Sequence, residues 1–277
     1  MVTKKVWAKE PRPDFCLVRV PSYLGKKYSM VLFGKCNFRC KFCFEKGDKA
    51  DEKGVLPDAR LMDFSELEEF VRREASAGKP IKITGGEPSL YPDETIQLIK
   101  IAKSQNVFTQ VDVNGSLPDV CEELAKYVDS IGLDIKGNEK NIEYLTGVNK
   151  KISLDAPLET LHRAEKFPCF VEFKTVMFDF TDIDHLEWLY SHLPKKAFWE
   201  LKQYRPHEGV ERTPKQIDLR PASKEQILHL MDEMCRRHPD LEDRMVAIIG
   251  SAKDYRNYYC PGGKNLLEKF LGVGNIQ

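Results

Sequence analysis

The chain has 277 residues, is 42% hydrophobic and carries 43 Lys and Arg against 43 Asp and Glu, a formal net charge of zero. That length supports one large core, or a core with a small lobe, and the balanced charge excludes wholesale binding to nucleic acid or to a membrane surface. No apolar run approaches a membrane span, the start Met1-Val2-Thr3-Lys4-Lys5 lacks the apolar core of a signal peptide, and 8 cysteines suit a reducing cytosol better than a disulfide framework, so a cytoplasmic globular protein is expected.

Residues 1–27 read as an N-terminal extension. A buried strand counted from Tyr28, with the apolar run Met30-Val31-Leu32-Phe33, then leads into Gly34-Lys35-Cys36-Asn37-Phe38-Arg39-Cys40-Lys41-Phe42-Cys43-Phe44. Cys36, Cys40 and Cys43 have the spacing C-x3-C-x2-C, no fourth cysteine lies near, and the first histidine in the chain is His162. A structural zinc normally takes four protein ligands in two close pairs. A 4Fe–4S cube normally takes four cysteines, so three thiolates on a tight loop would hold three irons and leave one open to a substrate or cofactor. The plainer alternatives are a zinc loop or three unrelated cysteines. Cys16, Cys121, Cys169, Cys235 and Cys260 read as small core residues.

Asp63 to Arg73 predicts a helix with a capping Asp or Ser and acidic residues in its first turn. Pro80-Ile81-Lys82-Ile83-Thr84 predicts a strand that ends on Gly85-Gly86-Glu87-Pro88, where two glycines let backbone approach a ligand closely. An ordinary strand-to-helix turn is the alternative there. Helices are expected from Asp93, over Pro118–Tyr127, Glu139–Leu145, Pro157–Lys166 and Ile183–His192, and strands over Val107–Val113, Ser130–Ile135, Cys169–Met177 and Ala197–Gln203. Strands alternating with crossover helices predict a parallel sheet closing toward a barrel, with ligands at the C-terminal strand ends. Six such strands are counted from Tyr28, short of the eight of a full (β/α)8 barrel. Val210–Pro221 reads as a linker or lid, Ser223 to Arg237 as a helix and Met245–Ile249 as a short strand. The stretch Asp254–Lys264 reads as a terminal strand and turn before a short helix over Asn265–Leu271, with closure over the barrel mouth as the alternative.

The cysteine loop, with Phe42 as the aromatic in C-x3-C-x-aromatic-C, and the Gly85-Gly86-Glu87-Pro88 turn about forty residues later resemble the signature of the radical S-adenosylmethionine (SAM) enzymes. The resemblance implies an α/β fold, a partial (β/α)6 TIM-like barrel over residues 28–209, with a small C-terminal extension over 210–277. It implies a 4Fe–4S cluster on Cys36, Cys40 and Cys43, with SAM chelating the open iron and its ammonium bonded by Gly85, Gly86 and Glu87. Reductive cleavage would then release a 5′-deoxyadenosyl radical for hydrogen abstraction, with ferredoxin or flavodoxin as reductant and anaerobic conditions expected.

Asp112-Val113-Asn114-Gly115-Ser116, Asp134-Ile135-Lys136 and Tyr144-Leu145-Thr146-Gly147-Val148 narrow the resemblance to the glycyl-radical-enzyme activating enzymes, including pyruvate formate-lyase activase and anaerobic ribonucleotide reductase activators. It covers about Tyr28 to Pro206. From that lineage Asp112, Asp134 and Lys136 are expected around a monovalent cation beside the SAM carboxylate, and Asn114 on the SAM ribose or methionine moiety. A turn before Asn-Gly, and a solvated pair two residues apart on a strand, are the alternatives. Where the pyruvate formate-lyase activases have Tyr-His, this chain has Tyr204-Arg205, which passes a SAM contact to Arg205, with His207 as a substitute. The implied partner is a glycyl-radical enzyme. The runners-up are a radical SAM enzyme acting on a small molecule, nucleoside, tRNA or peptide, and, in another class, a metal-binding protein without turnover. The 7-carboxy-7-deazaguanine synthases share the glycine turn but have Thr soon after the last cluster cysteine, where this chain has Phe44-Glu45.

Overall fold

The computed structural model of the chain describes residues 4–15, 28–206, 219–251 and 254–260. Its strands are β1 Lys5–Ala8, β2 Arg12–Phe15, β3 Tyr28–Phe33, β4 Arg60–Asp63, β5 Ile81–Gly85, β6 Thr109–Val113, β7 Ser130–Asp134, β8 Phe170–Met177, β9 Phe198–Gln203, β10 Met245–Ser251 and β11 Asp254–Tyr259. The helices are α1 Phe64–Ser76, α2 Pro92–Lys103, α3 Pro118–Ala125, α4 Ile142–Thr146, α5 Ala156–Ala164, α6 Ile183–His192 and α7 Lys224–Arg237. All described strands belong to one sheet, ordered β11-β10-β9-β8-β7-β6-β5-β3-β1-β4, with β2 also on β3.

From β3 to β10 every neighbour pair is parallel, while β1, β2, β4 and β11 are antiparallel additions at the two margins. The six expected barrel strands are β3 and β5 to β9. The strand expected at Met245–Ile249 is no separate lobe: β10 pairs Met245 with Trp199 and Ile248 with Lys202, so it adds a seventh parallel strand to the same sheet. Within residues 1–27, β1 and β2 both lie against β3. Sequence reading passed over β1, β2 and β4 because runs of four residues hold too few repeats for alternation to register. The helix expected over Glu139–Leu145 is the shorter α4, closed by Gly147 at φ +68°, where a residue without Cβ is favoured. The expected helix Asn265–Leu271 and most of the linker Val210–Pro221 lie outside the described residues.

Alternation along each barrel strand separates two faces. Val31, Ile83, Val111, Leu133, Phe173, Trp199 and Ala247 join the core under the helices. The opposite parity faces inward, beginning with apolar bases made by Phe170, Phe198, Val246 and Ile248 and by Tyr28, Met30 and Leu32. Above these come polar residues: Lys82 on β5, Gln110 on β6, Glu172 and Lys174 on β8, and Glu200 on β9, all buried, with Asp112 on β6 and Lys202 on β9 half-buried beside them.

On β7 the inward position between Asp112 and Glu172 is Gly132. A Cβ there would collide with Asp112 Oδ1 and Lys174 Nζ, so the absent side chain is what lets Lys174 cross β7 to reach Asp112. Gly132→Ala is expected to cost roughly 1–3 kcal/mol of stability, the usual penalty for overpacking a closed interior. Urea denaturation checks this, and an unchanged midpoint would mean that the ion pair does not depend on the gap.

Candidate functional site

Cys36, Cys40 and Cys43 lie on the loop that leaves the C-terminal end of β3. Its backbone is held from two sides. Cys36 N–H donates to Gly54 O at 2.9 Å, Arg39 N–H to Thr146 O at 2.8 Å and Lys41 N–H to Leu145 O at 3.0 Å, so the last carbonyls of α4 bind the loop. Phe38, Phe42, Leu145, Phe178 and Tyr204 pack around the cysteines as a small apolar cluster. Burial pushes the Cys36 thiol up to about 12 and raises Cys40 and Cys43, while the positive charge of Lys136 pulls all three down. The backbone N–H groups of Gly47 and Glu45 add to that pull at Cys43. Metal loading of such a trio must release protons, and these are the donors that favour the thiolates.

The β5 end meets this loop directly. Gly86 N–H donates to Phe33 O at 2.7 Å and Glu87 N–H to Lys35 O at 2.8 Å, extending the β3–β5 ladder beyond both strands. Gly85 has φ +98° and its Cβ position falls 2.6 Å from Phe33 O, while a Cβ on Gly86 would run into the Lys35 carbonyl. Both positions therefore require glycine, for conformation at the first and for close approach at the second. Glu87 is buried, with its carboxylate accepting from Ser89 N–H at 3.0 Å and from Asn114 N–H at 2.7 Å. Asn114 Nδ2 in turn donates to Asn37 Oδ1 at 2.8 Å, and Asn37 Nδ2 to Ser116 Oγ at 2.7 Å, tying the cysteine loop to the β6 end.

At the β7 end Lys136 pairs with Asp134 Oδ2, and its Nζ stands 5.8 Å from the centre of the Phe42 ring. Burial alone would lower the Lys136 pKa; Asp134 and the neighbouring thiols outweigh it and leave the ammonium firmly charged. Asp134 Oδ1 is buried without a hydrogen-bond partner among the described residues, an acceptor facing the site. One level deeper, Asp112 Oδ2 lies 2.6 Å from Lys82 Nζ, and its Oδ1 pairs with Lys174. Burial would raise the Asp112 carboxyl, but Lys174 and Lys82 hold it well below the usual range.

The expected monovalent cation does not fit at Asp112, both of whose oxygens already carry ammonium groups. The thiols suit a cluster by donor chemistry: three share one loop and Lys136 favours their ionised forms, with backbone N–H groups adding to this at Cys36 and Cys43, although no group of three such side chains among the described residues is placed to hold a metal ion.

Cys36, Cys40, Cys43, Gly85, Gly86, Glu87, Asp112, Asn114, Asp134, Lys136 and Arg205 all line one cavity of about 370 Å³ at the C-terminal strand ends. Burial pushes the Arg205 guanidinium down to about 10. Lys82, Lys174 and Lys202 line the same cavity and were not singled out in the sequence. Their signal is a lone lysine in an otherwise buried strand, as in Ile81-Lys82-Ile83 and Phe173-Lys174-Thr175. His207 lies outside the described residues. Cys260 does not line the cavity; it is buried in the main core and hydrogen-bonded to Cys235.

The family model described as Radical SAM superfamily matches residues 30–193. A Methanocaldococcus jannaschii protein named for glycyl-radical enzyme activation is 26% identical over 226 residues, 78% of this chain and 88% of that one. A 7-carboxy-7-deazaguanine synthase of Methanothermobacter thermautotrophicus is 29% identical over 141 residues, 50% of this chain and 54% of that one. Among solved structures, TYW1 with a lysine–pyruvate adduct bound gives a TM-score of 0.59 at 19% identity over 85% of this chain and 80% of that chain, a likeness of fold.

Two substitutions separate the parts of this site. Glu87→Ala leaves two buried N–H groups without an acceptor and is expected to cost about 2–4 kcal/mol in urea denaturation, with Glu87→Gln losing roughly half as much. Gly86→Ala must displace the Lys35 backbone, so iron bound after anaerobic reconstitution should fall several-fold while far-ultraviolet dichroism is kept. Full iron content in that variant would show that the two loops do not depend on each other.

Proposed function

The chain belongs to the radical SAM superfamily, and on that premise we propose that Cys36, Cys40 and Cys43 hold three irons of a 4Fe–4S cluster whose open iron binds SAM. When bound, such a cluster would supply the single electron for reductive cleavage of SAM, the chemistry by which a 5′-deoxyadenosyl radical would become available for hydrogen abstraction. The protein's own part is to hold and shield. Gly85 and Gly86 bring bare backbone to the SAM ammonium, with Asp134 Oδ1 as a second acceptor for a charged N–H. Glu87 acts on Asn114, whose backbone it fixes, so that the amide is set for the ribose or methionine moiety. Lys136 stands over the thiols and offsets negative charge there. Phe42, Phe178 and Tyr204 exclude water from the reacting end. Arg205 contributes a donor at the mouth.

The finer reading is an activating enzyme that abstracts hydrogen from a glycine of a partner glycyl-radical enzyme in an anaerobic cytoplasm, with ferredoxin or flavodoxin as electron donor. Likeness over most of the chain to the Methanocaldococcus jannaschii relative supports it. A second reading, a small-molecule substrate held within the barrel, is favoured by the extension of the cavity beneath the cofactor residues, to Lys82, Lys174 and Lys202. The observation that carries the shared part is the convergence of the three thiols and the glycine turn on one cavity.

Anaerobic reconstitution is expected to give brown protein with about four irons per chain and dithionite-dependent 5′-deoxyadenosine. Cys36→Ala, Cys40→Ala or Cys43→Ala should each abolish both while leaving the barrel folded, since the ligands sit on a loop outside the main core. SAM cleavage retained by any one of them would overturn the ligand assignment.

A further inference from the structure

The superfamily match begins at residue 30, yet the strands before it hold both ends of the cysteine loop. At the near end, Gly34 N–H donates to Trp7 O at 2.8 Å. At the far end Lys9 Nζ reaches Glu45, 2.7 Å from Oε2 and 3.3 Å from the main-chain carbonyl. Lys9 lies one residue beyond β1 and is itself fixed by its N–H, which donates to Leu32 O at 2.9 Å. Residues 35–44, which carry all three thiols, are therefore suspended at both ends from the stretch Trp7–Lys9.

Neutralising Glu45 does not account for Lys9, because Arg12 on β2 already pairs with Glu45 Oε1 at 3.2 Å. What Lys9 adds is the bond to the carbonyl, which fixes the peptide leading into Lys46. Lys46 has φ +60° and ψ +46°, the left-handed region that a residue with Cβ rarely adopts. That turn folds the chain back on Cys43. Lys46 N–H donates to Cys43 O at 3.1 Å, a Cβ on Gly47 would lie 3.3 Å from Cys43 Sγ, and the N–H groups of Glu45 and Gly47 donate to that sulfur. The Lys9 and Glu45 side chains are 9% and 10% exposed, so the pair sits in a dry interior where losing one partner is costly.

We propose that Lys9 is a positioning residue for the cluster: acting through Glu45, it holds the left-handed turn at Lys46, so that two backbone N–H groups stay on the Cys43 sulfur. The hold on the turn stands on the geometry alone, and its consequence for a cluster rests on the radical SAM reading. Hydrogen bonds to the sulfurs help to set a cluster's reduction potential. An N–H group on a thiolate favours the more negative, reduced state, so the closed turn eases reduction.

Hydrogen exchange of the cluster-free full chain, read by mass spectrometry, tests the hold, and the midpoint potential of the reconstituted cluster tests its consequence. In Lys9→Met the amides of residues 45–47 should exchange about tenfold faster or more, the effect of losing a hydrogen bond to a charged group, while β5 and β6 keep their wild-type rates. Arg12→Met, which takes a charge from Glu45 but leaves its carbonyl bonded, should change the same amides by no more than about twofold. The double variant Lys9→Met with Glu45→Gln loses the carbonyl bond without stranding a buried carboxylate, and carries the test if the single variant does not fold. It removes one charge of each sign, so the fall in midpoint potential expected of it cannot come from net charge. Wild-type exchange in both Lys9 variants, faster exchange spread over the whole barrel, or a local change with an unmoved potential would each overturn the proposal. Failure of wild type to assemble a cluster, with the local exchange effect intact, would instead count against the radical SAM reading and leave the hold on the turn standing.

Discussion

Continuation of the β3–β5 pairing past the ends of both strands is the constraint on which the site depends. Two backbone hydrogen bonds, Gly86 N–H to Phe33 O and Glu87 N–H to Lys35 O, bring the glycine turn against the loop that carries the cysteines. A bonded approach this close forbids a Cβ at Gly86. From it follow the depth at which Glu87 is buried, its hold on the Asn114 backbone, and the link back through Asn37 to the cysteine loop. α4 supports the loop from another side through its terminal carbonyls, so the three thiols sit on a segment whose backbone is tied to three separate elements.

Electrostatics in the interior obeys a related constraint. A parallel barrel strand is covered on one face by helices and on the other by the opposing strands, so an inward charge has to find its partner across the barrel. Asp112 finds two, across β7 in one direction and on β5 in the other, and the first of these requires Gly132. Fixed ammonium groups thereby fill the place where a mobile cation was expected. The aspartate is present, as the lineage implies, but its charge is compensated by covalently attached cations.

Much of this was legible in the sequence, and the parts that were not share a cause. The strand–helix repetition, the order of β3 and β5 to β9, the three thiols and the glycine turn all rest on local signals: alternation, turn chemistry and short spacing. The capping role of Asp63 on α1 was visible for the same reason. What escaped depends on pairing between segments far apart in the chain. β1 and β4 are recognisable only because they pair with each other at the sheet margin, and β10 is a barrel strand only because its register lies on β9. Lys82, Lys174 and Lys202 look like isolated surface charges until strand parity turns them to the inward face, where the register sets Lys174 beside Glu200. Asp112 lines the cavity with the other expected residues, but its counter-charges, Lys82 and Lys174, were not legible because neither lysine is its neighbour in sequence.

The interior charges below the cofactor end form a closed balance. Lys82 pairs with Asp112, Lys174 with Asp112 and Glu172, and Lys202 with Glu200, so three ammonium groups meet three carboxylates away from bulk water. An apolar residue at Lys82 would leave three carboxylates against two ammonium groups, which is why the third lysine is needed even though Gln110 and Ser130 also donate to Glu172. The network therefore holds its neighbouring strands together by matched charge, independently of the thiol loop and the glycine turn above it.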